Sequence, residues 1–368
     1  MHFLFISSLN EDLSNPAYSR QLGMKKLFSE LGDIQYLNLF SKSNGFFKKV
    51  SSFLNAKRRV KKALSTIDLG NIDAIFLSTI PYNGMKYIKK VCLKNKIKLI
   101  IDCVEYASPE EKKFGRFSLS YIHNTRINEH LIDKNVYVIS ISSYLYDFFK
   151  SKDIKTVVIP NLVDTKEINY VSKEKHSKIE LLFAGYPQKK DALNIAVEGL
   201  LLLSNEERDL INLTVAGINE EQFFEKYPHL VKHKADISLF VSFKGKLPSE
   251  QIKKLYKNSD FSVLIRDDSL RVCNAGFPTK LLDSFKYSTP IIANLTSDIG
   301  KYLIDQVNGF IVKNYSKESC YEVFKNIVSL FKENKLDIDM LSKNAFDTCI
   351  KSFNYLDYVD RIKALIND

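Results

Sequence analysis

Cysteine is sparse in this 368-residue chain: Cys92, Cys103, Cys273, Cys320 and Cys349 form no CxxC pair and match no metal-ligand spacing. Scattered thiols of this kind are expected as reduced core residues, which excludes a disulfide scaffold and a zinc module. Long apolar runs are missing as well; none approaches the roughly 18 residues that a membrane-spanning helix needs. The opening, MHFLFISSLN, lacks a basic region and a small-residue cleavage site, so it is expected as a first buried strand rather than a signal peptide. There is no HExxH, no EF-hand loop, no well-placed DxD and no repeat of solenoid length. Acidic residues are in deficit, 43 against 54 basic, for a net charge of +11. That excess suits an anionic partner, whether nucleic acid, anionic lipid or a phosphorylated substrate. The lysines are dispersed and no nucleic-acid motif accompanies them, so specific nucleic-acid binding is not expected.

Hydrophobic residues, by contrast, make up 45% of the chain, enough for full-sized cores. Near-continuous apolar runs occur at 3–9, 34–40, 72–78, 97–104, 136–142 and 156–160, and again at 179–185, 212–217, 239–245, 261–266, 290–294 and 309–312. Runs without strict alternation are what strands buried on both faces require. Helical patterns separate them; residues 15–32 are one, with Pro16 near the start and Gly32 past the end. Strand–helix alternation implies parallel βαβ units. The expected fold class is therefore α/β, with two Rossmann-like domains and C-terminal helices. The first domain spans 1–165, a polar linker 166–178 and the second domain 179–345. A terminal helix at 346–368 follows, expected to pack back on the first domain.

Two strand-end turns in the second domain carry the chemistry. LLFAGYPQKKDALNIAVEG (181–199) ends a strand at Gly185, then offers Lys189 and Lys190 before a helix expected to begin near Asp191. Ligands of open parallel sheets bind at such carboxyl edges, and lysines beside a helix start suit a phosphate; a solvated loop with ordinary surface lysines is the competing reading. FSVLIRDDSLRVCNAGFPTKLLDSFKYSTPIIAN (261–294) adds Arg266, Arg271, Gly276, Pro278, Thr279, Lys280 and Asp283. Gly276 permits close backbone approach, Pro278 suits the first helical position, and the free N–H groups there favour an anion. Lys280 adds positive charge, and Asp283 can accept two hydroxyl hydrogen bonds, as from a ribose.

GFPTKLLDSFKYSTPIIA resembles the donor-site signature of the GT-B glycosyltransferases of family 4, closest to the branch that builds bacterial capsule, exopolysaccharide and lipopolysaccharide. LLFAGYPQKKD, SDIGKYLIDQVNGFIV (297–312) and VIPNLVDTKEI (158–168) resemble its neighbouring segments. The resemblance covers most of the second domain and the join. It implies two Rossmann-like domains in the GT-B arrangement and sugar transfer from a nucleotide-sugar co-substrate to a glycan or lipid-linked acceptor, with retention at the anomeric carbon. It places Lys190 at the donor diphosphate, Lys280 and the 276–279 turn at the diphosphate or sugar, and Asp283 where a ribose-binding glutamate stands. Two positions depart from the family pattern. The earlier of two family acids falls on Ala275, and the arginine after the strand glycine is Tyr186; Arg266 or Arg271 is expected to supply that charge. No cofactor and no metal are expected, since these cations can stabilise the leaving diphosphate.

In the first domain, EYASPEEKKFGRFSLSYIHNTRINEH (105–130) offers His123, by position the match to a cleft histidine of this fold, and Glu105, placed to contact or deprotonate an acceptor hydroxyl. A helix-packing role for His123 and a cap or salt-bridge role for Glu105 compete with these. Residues 44–66 hold Lys48, Lys49, Lys57, Arg58, Arg59, Lys61 and Lys62 and no acid, with Phe46, Val50, Phe53, Val60 and Leu64 on one helical face. That stripe either covers the domain's own sheet or lets the segment rest on anionic lipid. Together these readings give a cytoplasmic enzyme, peripheral on the inner face of the cell membrane. A non-catalytic nucleotide- or glycan-binding relative and a basic nucleic-acid-binding protein are the alternatives.

Overall fold

The computed structural model describes residues 1–12, 15–39 and 55–367. Two compact units divide it: Met1–Val163 with Ala275–Phe277 and Asn354–Asp368, and Asp164–Asn274 with Pro278–Phe353.

The first unit is built on a parallel sheet of β1 (His2–Ser7), β2 (Asp33–Asn38), β3 (Ala74–Ser78), β4 (Lys98–Cys103), β5 (Tyr137–Ser140) and β6 (Thr156–Val158), in the order β2-β1-β3-β4-β5-β6. Every residue of β3 is buried, as a strand covered on both faces must be. Phe5 and Phe76 are registered neighbours on β1 and β3 and stack at 4.4 Å, with Phe28 edge-on to Phe5 at 5.2 Å. Phe28 comes from helix Pro16–Ser29, which Asn15 caps by accepting from the Ala17 N–H at 3.1 Å. The same helix presents Arg20, 4% exposed, to Asp102 at the end of β4. Nη2 reaches Oδ1 at 2.7 Å and Nε reaches Oδ2 at 2.9 Å, while Nη1 donates to the carbonyls of Ile159 and Pro160 at 3.1 and 2.9 Å. One buried guanidinium thus pins a helix, a central strand and the chain leaving β6.

Residues 354–368 complete this core. Ile362, Leu365 and Ile366 of helix Val359–Asn367 join Phe3, Phe5 and Phe28, and the Tyr355 N–H donates to the Val163 carbonyl at 3.1 Å. The boundary falls at 353/354 rather than 345/346, because helix Ile338–Phe353 runs on unbroken within the second unit.

The second unit repeats the plan with β7 (Ile179–Ala184), β8 (Ile211–Ala216), β9 (Val241–Gly245), β10 (Phe261–Leu264), β11 (Ile291–Asn294) and β12 (Gly309–Val312), parallel in the order β12-β11-β10-β7-β8-β9. The chain steps outward from β7 to β9, then crosses back to place β10 on the other side of β7. Strand order reverses between β7 and β10, and that reversal opens a crevice at their carboxyl ends. All twelve strands coincide with the apolar runs of the sequence.

Residues 166–178 are not a free linker. They form a strap on the second unit: the Val171 N–H donates to Ser288 Oγ at 3.0 Å and the Lys173 N–H to Asp339 Oδ1 at 3.1 Å. Lys173 is 7% exposed, and its Nζ donates at 3.0 Å to the carbonyls of Tyr256 and Lys257 and to Thr289 Oγ1. At Lys173 a polar residue marks buried hydrogen bonding, while much of the rest of the strap is exposed. Among the described residues no helix is long and apolar enough to cross a membrane.

Of the basic stretch 44–66, residues 44–54, with Lys48, Lys49, Phe46, Val50 and Phe53, lie outside the described residues. In helix Ala56–Leu64 the apolar side chains Ala56, Val60 and Leu64 are buried, while Lys57, Arg58, Lys61 and Lys62 are exposed. Gly84 opposite leaves room for this packing, since a Cβ there would stand 3.2 Å from Val60 and 3.6 Å from Ala56.

Candidate active site

Two loops meet where the second sheet reverses. The first follows β7 and begins at Gly185, whose φ of +112° lies in the region that favours glycine. Gly217 ends the adjacent β8 with φ +120°; a Cβ there would stand 2.4 Å from the Gly185 carbonyl carbon. The paired glycines let the two strand ends turn against each other. Lys280 occupies the space left by the missing Gly185 side chain, where a Cβ would come within 3.0 Å of its Cε.

The second loop follows β10, and Asp191 joins it to the first. Its backbone bridges antiparallel to Arg266, the Ala192 N–H donates to the Ile265 carbonyl at 2.8 Å, and the helix begins only at Leu193. The Asp191 carboxylate, 9% exposed as a residue, receives Lys280 Nζ at 2.5 Å and lies 3.5 Å from Arg266 Nε. Burial pushes this carboxyl up, but Lys280 and Arg266 together outweigh it and hold it below the usual range. Burial pulls the Lys280 ammonium down, with Asp191 opposing. Lys190, half-buried in the turn before Asp191, adds its charge to both. Three cations surround one anion, leaving local positive charge at the carboxyl ends of the central strands β7 and β10.

Arg266 is positioned otherwise than the sequence suggests. It is 3% exposed; its Nη1 donates to the Cys273 carbonyl at 3.0 Å, and Asn294 brackets its backbone, accepting from N–H at 2.8 Å and donating to C=O at 2.7 Å. It contributes charge from behind the site rather than a surface contact. Arg271 opens helix Arg271–Ala275 at the far side of the loop. Gly276 falls in Ala275–Phe277, the short segment grouped with the first unit. Pro278 stands at the N-cap of helix Thr279–Lys286 and not at its first turn position, so Thr279 and Lys280 are the first helical residues. One turn further on, Asp283 is partly buried, and burial raises its carboxyl to about 6. No hydrogen bond or ion pair engages that carboxylate among the described residues.

In the first unit, His123 lies on helix Leu119–Arg126 and accepts, through Nε2, the Tyr82 N–H at 2.9 Å. Tyr82 opens helix Tyr82–Asn95, so the imidazole caps that helix. A ring nitrogen that accepts an N–H carries a lone pair, so the ring is neutral with its proton on Nδ1; burial lowers its pKa in the same sense. This arrangement is the helix-packing alternative, with Nε2 already engaged. The Glu105 carbonyl is held by Asn124 and Asn128 at 3.0 and 3.1 Å, and its half-exposed carboxylate lies 3.8 Å from Lys112 Nζ.

Asp191, Gly217 and Asn294 belong to this candidate site, yet sequence reasoning assigned them no role there. Asp191 had a signal: a lone acid directly after two lysines at a strand-end turn.

Residues 164–345, nearly all of the second unit, match the family model of glycosyl transferases group 1. The chain is a group 1 glycosyltransferase. Its fold is GT-B, shared with solved structures of low sequence identity. Anabaena Alr3699/HepE in complex with UDP-glucose superposes with a TM-score of 0.69 at 14% identity, covering 100% of this chain and 99% of that one. A Rickettsia africae glycosyltransferase gives 0.64 at 14%, covering 99% and 97%, and the lipopolysaccharide outer core galactosyltransferase WaaB gives 0.63 at 16%, covering 100% and 99%. No curated protein matches the sequence significantly.

Proposed function

We propose that this glycosyltransferase moves a hexosyl group from a nucleoside diphosphate sugar to a glycan or lipid-linked acceptor in bacterial surface polysaccharide synthesis, with retention and without a metal. The cation cluster about Asp191 carries the reading. Breaking the bond between the anomeric carbon and the diphosphate oxygen leaves two phosphates with developing charge. Lys280, Lys190 and the free N–H groups of Thr279 and Lys280 at the helix start can stabilise it, with Arg266 adding field from behind. Asp283, whose carboxylate has no partner among the described residues, is the group to receive ribose hydroxyls. The neighbours held with UDP-glucose and named for lipopolysaccharide make a UDP-hexose the first donor to test.

The experiment is a thermal-shift screen of nucleotide sugars followed by turnover assays with and without a chelator, the product anomer being read by NMR. Expected are a melting shift with one donor class, chelator-insensitive turnover and a retained anomeric configuration. Turnover should fall about ten- to a thousandfold in Lys280→Ala, as for the loss of one stabiliser of developing charge. Absence of any donor shift, or activity lost to chelator and restored by a divalent ion, overturns the corresponding part.

A further inference from the structure

Among the described residues, the three most exposed large apolar side chains of the first unit lie in one short stretch, a loop and the helix start that follows it. Phe114 is 69% exposed, Phe117 87% and Leu119 64%, three large apolar side chains within six residues. Singly exposed apolar residues are ordinary, but a cluster of this kind marks an interaction surface. The loop is a chain of tight turns: Gly115 N–H to the Lys112 carbonyl at 3.0 Å, Phe117 N–H to Phe114 at 3.0 Å and Ser118 N–H to Gly115 at 3.2 Å. Three of its backbone donors are therefore satisfied within the loop. Gly115 has φ +52°, and a Cβ there would meet nothing within 4 Å, so the tip projects into open space. Lys113 and Arg116 within the loop, and Arg126 at the far end of the helix that Leu119 opens, are all exposed and without an acidic partner among the described residues; Lys113 Nζ lies 5.9 Å from the Phe114 ring.

We propose that this loop docks the enzyme on an anionic lipid surface, Phe114, Phe117 and Leu119 entering the interface while Lys113, Arg116 and Arg126 meet headgroup phosphates. A projecting tip of phenylalanine and leucine fits a deformable interface, whereas a folded partner or a glycan would need a shaped recess. The three turn hydrogen bonds lower part of the cost of leaving water. Unpaired cations match the negative potential of anionic lipid, and aromatic side chains take up the boundary layer. The inference rests on the loop alone and is independent of the donor site.

The test is co-sedimentation of the full chain with phosphatidylcholine vesicles, with and without phosphatidylglycerol, across salt. Binding is expected to need the anionic lipid and to weaken with salt. It should fall about tenfold or more in Phe114→Ser/Phe117→Ser and in Lys113→Glu/Arg116→Glu, with melting temperature and UDP affinity unchanged. Lys57→Glu/Arg58→Glu/Lys61→Glu, on the neighbouring basic helix, reports any share carried by residues 55–66. The proposal is overturned if vesicles are not bound, or if folded loop variants bind as the parent does. It is equally overturned if the loop variants abolish self-association or soluble-glycan binding instead.

Discussion

Replacing Asp191 by Asn removes one buried negative charge and leaves Lys280 and Arg266 facing each other across a neutral amide. Stripping one partner from a buried ion pair costs about 3–5 kcal/mol. The Lys280 side chain retains 18% exposure and that of Asp191 12%, so water relieves part of the loss and the lower end applies. A loss of about 3 kcal/mol lowers the melting temperature by roughly 6–12 °C, at about 2–4 °C per kcal/mol for a unit of this size. Binding should move the other way. Asp191 competes with a diphosphate for the same cations, and removing it raises the local charge by one. At several ångströms and an effective dielectric near that of a protein surface, one charge contributes about 1–2 kcal/mol, or about a tenfold gain in affinity for UDP. Scanning fluorimetry without nucleotide and calorimetric titration with UDP read the two effects separately. A variant that melts with the parent, or a folded variant that binds UDP more weakly, refutes the view of Asp191 as a counter-ion held in place of the diphosphate.

Asp283, with its carboxyl raised to about 6, should bind the donor better as pH rises through that value and the charged form appears; Asp283→Asn should flatten the titration. Because the folded state holds this proton more tightly than the unfolded chain, the same group lowers stability as pH rises from about 4 to 6, so melting temperature and affinity move oppositely. Arg20→Ala should cost about 3–5 kcal/mol by chemical denaturation, since it strands Asp102 in the core. Ile362→Ala, at a fully buried position, should cost about 2–5 kcal/mol and be read in the first unit rather than the second.

The strands were legible because parallel sheets bury both faces of each strand and so write themselves as apolar runs. Distance in sequence hid the rest. Arg20 meets Asp102 across 82 positions, and neither residue stands in a pattern that announces the other. Lys173 is one polar residue among many at 166–178, and only the three oxygens folded around it distinguish it from a solvated lysine. At the candidate site the signature placed Lys280 and Asp283 on one helix. What Lys280 touches depends on the crossover that sets β10 beside β7, which local sequence does not encode. His123 was singled out by position alone, and its Nε2 proves to be engaged by a backbone N–H.

The first unit is written in three places, 1–163, 275–277 and 354–368, with the whole second unit between the first and the last. During synthesis its sheet therefore emerges long before the helix that closes one side of its core. Phe3, Phe28 and Phe76 wait beside an incomplete wall while residues 164–353 are made. The second unit can mature first although it is encoded later, and residues 354–367 then pack against helix Pro16–Ser29 and β6. Loss of residues 354–367 is accordingly a lesion of the first unit, felt at helix Pro16–Ser29 and β6 rather than in the sequence next to it. Joining the Val163 side of the junction directly to Asn354, where the two already share a bridge, should make that unit a single continuous piece that folds without waiting.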